Sequence, residues 1–252
     1  FNYLEPALDN IHLQLIDYKD QQNKQIEKVN IKIEDIKPFN KLEIRDLNFK
    51  YPGNNLIIKN LNLNIKKNSI LGVKGKSGSG KSTFLNLISG LIKPTSGGIY
   101  IDDKDISENI NGWKRKIGFV SQSVFLLDDT IKNNIAFGIE NDFIDEKLLN
   151  KSIHLSGLDE YINNLDSREM TVVGERGLKI SGGQKQRIGI ARALYFEPEL
   201  LILDEATNSL DKKTEDEILT QLISMKEKMT IVLVSHSQEP LKIADEIYEL
   251  ES

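Results

Sequence analysis

A glycine-rich segment at residues 75–82, called the phosphate loop, has the residue types and spacing of a site that binds phosphate groups. Gly75, Gly80, Lys81 and Ser82 occupy the fixed positions of the pattern Gly-x-x-x-x-Gly-Lys-Ser/Thr. Glycines allow backbone N–H groups to converge on an anion, and a helix starting there adds the positive end of its dipole. Lys81 supplies a full positive charge, and the Ser82 hydroxyl is a suitable ligand for Mg²⁺. The segment therefore predicts a nucleotide site.

Two adjacent acids, Asp204 and Glu205, follow the apolar run at 200–203. Side chains alternate along a strand, so we expect the two carboxylates to point in different directions. Asp204 is then the candidate ligand for Mg²⁺, and Glu205 is the candidate residue that orients or deprotonates an attacking water. Many strands end in acids, so the pair indicates hydrolysis only in combination with the phosphate loop.

A third segment, Ser181-Gly182-Gly183-Gln184, is called the signature element and precedes a helical pattern over 185–196. Ser181 and Gln184 have the spacing of a capping box, so a helix cap is a sufficient structural explanation. Each glycine in the first turn costs about 1 kcal/mol of helix propensity, which instead suggests that a ligand approaches the backbone. The hydroxyl, the free N–H groups and the helix dipole form a second candidate anion site.

The segments around these residues alternate between strand and helix patterns, which predicts an α/β core. The runs at 200–203 and 230–234 are continuously apolar, as in buried parallel strands. The region 129–165 has helical patterns without a strong strand and predicts a helical insertion. The predicted strands are 42–51, 61–65, 69–73, 117–120, 200–203 and 230–234, and a turn at Pro52-Gly53 follows the first of them. The predicted helices are 81–88, 185–196 and 212–226.

Composition limits the class of protein. The chain has 252 residues, 39% hydrophobic and 28% charged, which is enough for a folded core. Its net charge of -5 gives no general attraction to nucleic acid, so we expect no nucleic-acid partner. The sequence contains no cysteine, which excludes disulfides and thiolate metal sites. No apolar run approaches the roughly 18 residues that span a bilayer.

Residues 1–40 differ from the rest of the chain. Leu4, Leu8, Ile11 and Leu15 recur at helical spacing, and the polar stretch 19–28 follows. Two interpretations remain open for this segment, a surface helix with a linker or a helix that trails from a preceding domain. The chain begins with Phe1 instead of Met, so we expect it to be a fragment.

From residue 41 to 252 the chain resembles the nucleotide-binding domain of an ATP-binding cassette transporter. The motifs occur in the order that the family has, although each residue taken alone has an ordinary structural explanation. The matching positions are Tyr51; Gly75, Ser77, Gly78, Ser79, Gly80, Lys81, Ser82 and Thr83 of the phosphate-loop region; Gln122; Ser181, Gly182, Gly183 and Gln184 of the signature element; Asp204 and Glu205; the segment 208–211; and His236. The sequence departs from the usual pattern at Val172, Ile180, Asn208 and Ser209.

The resemblance implies a fold and a set of roles. The fold is α/β, a P-loop NTPase core with a mainly parallel sheet, an antiparallel β subdomain and a helical insertion subdomain at roughly 122–196. The implied cofactors are ATP and Mg²⁺. Tyr51, residues 75–83 and the signature element would contact the nucleotide, and Ser82, Gln122 and Asp204 would hold Mg²⁺. The implied catalytic residues are Glu205, His236 and Gln122.

The resemblance also implies partners. Two nucleotide-binding domains of this family face each other, and ATP lies between the phosphate loop of one and the signature element of the other. We therefore expect a second nucleotide-binding domain as a partner. We also expect a transmembrane domain, N-terminal in the same chain, that holds this domain at the cytoplasmic face of a membrane.

The segment 171–177 resembles one that is typical of exporters, and 4–18 loosely resembles flippases for lipid-linked saccharides. We therefore expect the ATP-hydrolysing motor of an exporter or flippase. One alternative is a soluble cassette ATPase of translation or DNA maintenance, which would carry a second such domain or long heptad arms. The other is an importer subunit, which would lack the segment 174–177. A regulatory domain without hydrolysis would have lost Glu205 or His236. The transported substrate and the choice between homodimer and heterodimer stay open.

Overall fold

The computed structural model describes residues 39–76, 78–174, 180–207 and 210–250. Several sequence predictions fall outside these residues. They are the N-terminal helix and linker up to residue 38, the contact of Ser77 with the nucleotide, the exporter-like residues at 175–177, and the family segment at 208–209.

Strands and helices alternate along much of the described part of the chain. The strands are β1 (Lys41–Phe49), β2 (Ile58–Lys66), β3 (Ile70–Lys74), β4 (Ser96–Ile101), β5 (Lys104–Asp105), β6 (Ile117–Val120), β7 (Leu200–Asp204), β8 (Thr230–Val234) and β9 (Glu246–Glu249). The helices are α1 (Lys81–Ile88), α2 (Ile110–Arg115), α3 (Ile131–Ile135), α4 (Glu146–Leu155), α5 (Asp159–Asn163), α6 (Gly182–Tyr195), α7 (Lys212–Met225) and α8 (Gln238–Leu241), with 3₁₀ turns at Ile106–Asn109, Asn141–Phe143 and Arg168–Met170.

A parallel sheet with the strand order β6-β7-β8-β3-β9 carries the phosphate loop. Every residue of β8 is buried, and β7 is buried up to its last residue, which explains the continuous apolar runs in the sequence. Val234 pairs in register with Val73 on one side and with Asp204 on the other. Because the strands are parallel, the segments after β3, β6, β7 and β8 leave the sheet at one edge, where such sheets bind ligands.

A second, antiparallel sheet has the order β2-β1-β4-β5. The register of β1 against β4 shifts between Arg45 and Asn48, and Asp46 lies at that irregularity with a left-handed φ of 47°. Gly97 of β4 approaches this bulge so closely that a Cβ would lie 2.3 Å from the Asp46 carbonyl oxygen. Only glycine fits there, because its own φ is 73° and a side chain would collide with backbone. Tyr51 follows β1 at the start of a turn, in which Asn54 N donates to Tyr51 O at 3.0 Å.

Helices α3 to α6 pack around an apolar cluster that is separate from the cluster beneath the parallel sheet. Helix α6 contributes to both. Its residues Ile188, Ala191 and Tyr195 belong to the helical cluster, whereas Ile190 and Leu194 pack with β7 and β8. Helix α6 is therefore the element through which the helical part contacts the sheet core.

The structure differs from the predicted elements mainly at their ends. Helix α6 begins at Gly182, earlier than the predicted Lys185, because Ser181 caps it there. Strand β1 ends at Phe49, before Tyr51. The sequence prediction lacked β4, β5, β9, α2 and α8, whose residues show no clean period. None of the helices in the described part of the chain combines the length and apolarity that a membrane span requires.

Candidate nucleotide-binding site

The phosphate loop leaves β3 and ends at the start of α1. Gly80 stands at the N-cap with a left-handed φ of 93°, and a Cβ there would lie 2.8 Å from Ile57. A Cβ on Gly75 would lie 2.4 Å from the Ser79 hydroxyl oxygen. Gly80 is therefore required by conformation and by space, and Gly75 by space alone.

Lys81 is a buried cation, 6% exposed, whose Nζ donates to Gly75 O at 3.0 Å and to Lys76 O at 3.1 Å. No carboxylate pairs with Lys81 among the described residues. The Ser79 hydroxyl is buried as well and has no hydrogen-bond partner among them. An ammonium that is buried against two backbone carbonyl oxygens, together with the buried Ser79 hydroxyl beside a helix N-terminus, fits the phosphates of a nucleotide.

Ser82 and Asp204 form the second part of the site, where Ser82 Oγ donates to Asp204 Oδ2 at 3.5 Å. Burial raises the pKa of Asp204, and the negative charge of Glu205 raises it further. The described residues contain no group of three or more His, Asp and Glu side chains that could hold a metal by themselves. A hydroxyl and one carboxylate fit Mg²⁺, which keeps waters and shares its ligands with substrate phosphates.

Glu205 lies between Gln122 and His236. Gln122 Nε2 donates to Glu205 Oε2 at 3.1 Å, and His236 Nε2 lies 2.6 Å from Glu205 Oε1. The three residues follow β6, β7 and β8, which are neighbours in the sheet, so their side chains meet at one edge. Glu205 stands beyond the end of β7 with a left-handed φ of 51°. We expected the alternation of side chains along a strand to separate the two carboxylates. Instead, this turn of the backbone after β7 sets the direction of the Glu205 side chain relative to that of Asp204.

The signature element is a capped helix start. Ser181 Oγ accepts from Gln184 N at 3.2 Å, and Gln184 Oε1 accepts from Ser181 N at 2.9 Å, so both bonds of a capping box are present. A Cβ on Gly183 would lie 2.9 Å from Thr214 Cγ2, whereas a Cβ on Gly182 would contact none of the described residues within 4 Å. Close packing against α7 therefore accounts for Gly183, and no packing constraint from the described part of the chain accounts for Gly182.

A hollow of about 330 Å³ lies beside the signature element. Ser181, Gly183 and Gln184 line it together with residues in and next to α5, α6 and α7, and the described residues of the phosphate loop do not. Arg187 contributes to its wall and donates to Gly157 O at 2.7 Å while it pairs with Glu217. The chain thus presents the phosphate loop and the signature element as two separate surfaces.

Tyr51 is 38% exposed and packs edge-on against Phe49, with the ring centroids 4.9 Å apart. Its partial exposure is compatible with a further contact of the ring, such as stacking on a base. Three polar residues that the sequence analysis did not single out, Asn134, Arg187 and Arg192, fix the loops around the signature helix. Their sequence signal was weak, because an asparagine or arginine inside an amphipathic pattern looks like a surface residue.

A parallel sheet with a phosphate loop and an acid pair at its carboxyl edge, an antiparallel sheet, and a capped Ser-Gly-Gly-Gln helix define a P-loop ATPase of the cassette class. The family described as "ABC transporter" matches residues 58–208, and the chain belongs to this family. This finding confirms the family resemblance and the predicted fold class.

Individual relatives agree with this assignment. The chain is 37% identical over 211 residues to the "Multidrug resistance ABC transporter ATP-binding and permease protein" of Lactococcus lactis subsp. lactis (strain IL1403). This match covers 83% of this chain and 36% of the relative. It is 38% identical over 212 residues to the "ATP-dependent lipid A-core flippase" of Pectobacterium atrosepticum, again covering 83% and 36%. The chain spans 36% of the length of these curated relatives.

Among solved structures, the fold resembles the "Structure of a bacterial Atm1-family ABC exporter with ATP bound". The TM-score is 0.78 and the sequence identity 30%, and the match covers 96% of this chain and 43% of the other. The similarity extends over both sheets and the helical part, because it includes nearly the whole chain.

Proposed function

We propose that the chain is the ATP-binding and ATP-hydrolysing domain of an exporter or flippase. The observation that carries the proposal is the position of Glu205. It lies between Gln122 and His236 at the sheet edge from which the phosphate loop and Asp204 also project. A carboxylate held by two polar neighbours beside a phosphate site is suited to orient a water for attack on a γ-phosphate.

The remaining residues have roles that follow from their chemistry. Lys81 and the N–H groups of the loop bind the β- and γ-phosphates, and the free face of Tyr51 stacks on adenine. Ser82 and Asp204 hold Mg²⁺, with the Gln122 amide as a further oxygen ligand. When bound, Mg²⁺ neutralises part of the phosphate charge. His236 hydrogen-bonds the γ-phosphate and Glu205, and Glu205 accepts a proton from the water or orients it.

A second nucleotide-binding domain completes the site. The signature element carries the Ser181 hydroxyl, whose oxygen accepts from Gln184 N, and Gly182, on which a Cβ would meet none of the described residues within 4 Å. It lines a hollow of its own. In the proposed dimer these groups contact the γ-phosphate of the nucleotide on the partner. Closure of two subunits around ATP, and their release after hydrolysis, then shifts a conformational equilibrium.

A transmembrane domain in the same polypeptide is the second proposed partner. The relative from Lactococcus lactis is named as both ATP-binding and permease protein, and the chain matches only 36% of it. We propose that the remainder of such a polypeptide includes membrane spans N-terminal to this domain, which then lies at the cytoplasmic face of the membrane. The names of the relatives favour an exporter or flippase over the soluble and importer alternatives.

The substitution Glu205→Gln tests the assignment. It keeps the size and hydrogen-bonding capacity of the side chain but removes the charge, so we expect kcat to fall about 100- to 10,000-fold, the usual contribution of a general base. ATP affinity, measured by isothermal titration without turnover, should stay within a few-fold of the wild type. Glu108→Gln, at an exposed glutamate in a 3₁₀ turn, is the matched control and should leave kcat unchanged. Wild-type turnover in Glu205→Gln would remove Glu205 from the mechanism.

A further inference from the structure

Phe39 is inserted into a socket at the point where the described part of the chain begins. Its side chain is 1% exposed, although the next residue, Asn40, is exposed and β1 begins only at Lys41. The ring packs edge-on against Trp113 of α2, with the ring centroids 6.0 Å apart. Trp113 is fully buried as well. A buried aromatic pair therefore anchors the chain directly before its first described strand.

Two carboxylates bind three consecutive backbone N–H groups of this entry segment. Phe39 N donates to Glu199 Oε2 at 3.0 Å. Asn40 N and Lys41 N donate to Asp102 Oδ1 at 3.0 Å and 2.9 Å. Glu199 directly precedes β7 of the parallel sheet and Asp102 follows β4 of the antiparallel sheet, so the segment is bonded to both sheets. We call residues 39–41, together with Trp113, Glu199 and Asp102, the entry anchor.

Trp113 connects the entry anchor to the helix that begins at the phosphate loop. Its Nε1 donates to Ile88 O at 2.8 Å, and Ile88 O is the last carbonyl of α1, where a helix has no donor of its own. A Cβ on Gly90 would collide with the Ile110 side chain, so α2 also packs tightly on the turn after α1. With 8 residues from Lys81 onward, α1 is about 12 Å long. One short helix therefore joins the anchor to the phosphate site.

Glu199 connects the entry anchor to the strand that ends at the acid pair. Its carboxylate pairs with Lys116, and Glu199 N and Leu200 N donate to Lys116 O at 2.8 Å and 3.0 Å. The pair is largely buried, since the Lys116 and Glu199 side chains are 14% and 25% exposed. Strand β7 starts at the next residue and ends at Asp204. Removal of Phe39 N would leave this carboxylate without one of its donors, which is unfavourable for a charged group that is largely buried.

We infer that the entry anchor links the segment before residue 39 to the affinity of the nucleotide site. Withdrawal of the Phe39 ring frees Trp113 and the end of α1, and the phosphate loop at the other end of α1 then binds ATP more weakly. By thermodynamic reciprocity, bound ATP strengthens the anchor and opposes its withdrawal. The inference rests on the part of the proposed function that places ATP at the phosphate loop. The proposed domain N-terminal to this one would supply the pull.

Substitutions at Phe39 test the linkage through the affinity for nucleotide. Phe39→Ala empties the socket, whereas Phe39→Leu keeps an apolar side chain in it. We expect Phe39→Ala to raise the Kd of a non-hydrolysable ATP analogue at least about fivefold, the lower end of typical couplings between sites, and Phe39→Leu to raise it less than about twofold. Isothermal titration of the 252-residue chain measures both values. An unchanged Kd in Phe39→Ala would overturn the inference.

Trp113→Phe is a second test, because it keeps a buried ring and removes the donor to Ile88 O. It should raise the Kd as well, and it carries the affinity test if Phe39→Ala does not fold. The matched control is Ile153→Ala, since Ile153 is 6% exposed and packs in the helical cluster, outside the anchor. It should lower the melting temperature and leave the Kd unchanged. A rise of the Kd in Ile153→Ala as large as that in Phe39→Ala would attribute the effect to general destabilisation and overturn the inference.

Hydrogen exchange in the wild-type chain tests the reciprocal effect. The amides of Phe39, Asn40 and Lys41 exchange when they leave their carboxylate acceptors. Saturating analogue should slow this exchange by about the same factor, at least about fivefold, by which Phe39→Ala raises the Kd. Asp46 N donates to Asn62 Oδ1 at 2.9 Å outside the anchor and is the control, whose exchange rate should stay unchanged. Equal slowing at Asp46, or no slowing in the anchor, would contradict the linkage.

Failure of the inference is separable from failure of the proposed function. If the wild-type chain hydrolyses ATP and Glu205→Gln does not, the proposed function holds whatever the anchor variants show. If the wild-type chain binds the analogue without hydrolysing ATP, the proposed function fails, and the Kd and exchange rates still decide the linkage. A wild-type chain that does not bind the analogue would overturn both. The emission of Trp113, the only tryptophan in the sequence, shows for each Phe39 variant whether the socket has opened to water.

Discussion

Asp204 shows how one residue of the site links ligand binding to stability. Burial and the charge of Glu205 raise its pKa, and these outweigh the opposing effects of the Ser82 hydroxyl, Lys81 and His236. The folded protein therefore keeps a proton on Asp204 at pH values where the unfolded chain has lost it. The contribution of this proton to the stability of the folded state is complete below the ordinary aspartate pKa of about 3.9. It is lost as the pH rises through the raised pKa of Asp204.

The first prediction at this scale is that Asp204→Asn raises the melting temperature of the nucleotide-free chain at pH 7. Asparagine removes the charge that burial penalises, and it keeps an oxygen that can accept from Ser82. Each kcal/mol gained should raise the midpoint by about 2–4 °C in a domain of this size. The difference should shrink as the pH falls, because Asp204 becomes neutral in both states. Differential scanning calorimetry across this pH range measures it.

The exposed Asp166 provides the control, because Asp166→Asn should leave the midpoint unchanged at every pH. Addition of Mg²⁺ and ATP should reverse the order at pH 7, since only the wild type gains stability from a carboxylate that binds the metal. A nucleotide-free Asp204→Asn chain that melts at or below the wild-type midpoint at pH 7 would contradict the assigned pKa direction.

Single residues of the site differ in how far the sequence could predict them. Lys81 and Asp204 follow from local pattern, because a glycine loop and an apolar strand with a terminal acid are visible within a few residues. The contact of Gln122 with Glu205 spans 83 positions and depends on β6 lying beside β7, so only the family resemblance pointed to it. The left-handed backbone of Glu205 was not predictable, since glutamate rarely adopts that conformation.

At the scale of elements, the approach of α6 to α7 constrains the signature glycines unequally. Alanine is a better helix former than glycine by about 1 kcal/mol, which favours substitution at either position. At Gly183 the new Cβ would lie 2.9 Å from Thr214 Cγ2, and such overpacking costs about 1–3 kcal/mol. The clash should therefore outweigh the gain in helix propensity at Gly183 but not at Gly182, where no atom of the described residues lies within 4 Å of the new Cβ.

We therefore predict that Gly183→Ala melts at a lower temperature than Gly182→Ala, by about 2–4 °C for each kcal/mol of net overpacking. Thr214→Ser removes the clashing methyl group but keeps the hydroxyl that donates to Asp211 Oδ2 at 2.7 Å. It should restore the midpoint of Gly183→Ala when the two changes are combined. Equal midpoints for the two glycine variants, or no rescue by Thr214→Ser, would mean that α6 and α7 separate freely at this point.

Elements with one strong period were predictable and irregular ones were not. The buried strands β7 and β8 and the helices α1 and α7 follow from apolar runs and helical spacing in their own residues. Strand β4 contains Gly97 and Gly98, and β9 is the edge strand Glu246–Glu249 with mostly exposed side chains, so both resemble loops in sequence. Their place in the sheets is set by partners distant in the chain, β1 for β4 and β3 for β9.

For the whole molecule, the central feature is that the described residues place the phosphate loop and the signature element, which we propose both contact phosphate, at two separate surfaces. The phosphate loop lies at the edge of the parallel sheet, and the signature element lines a hollow of the helical part. A chain whose site was complete would gain nothing from the second surface. Two such chains placed head to tail would instead form two composite sites with closed symmetry.

Complementation between two defective chains provides the last prediction. Lys81→Ala removes the cation of the phosphate loop and leaves the signature element intact. Ser181→Asp keeps a good N-cap, because aspartate caps as well as serine, but places a negative charge where a phosphate should bind. Each variant alone should lack ATPase activity and ATP-dependent dimerisation, whereas a mixture should recover both, since one composite site per mixed dimer is intact. Turnover assays and sedimentation velocity measure the two outcomes. A mixture as inactive as its components, from chains that melt like the wild type, would place the whole site within one subunit.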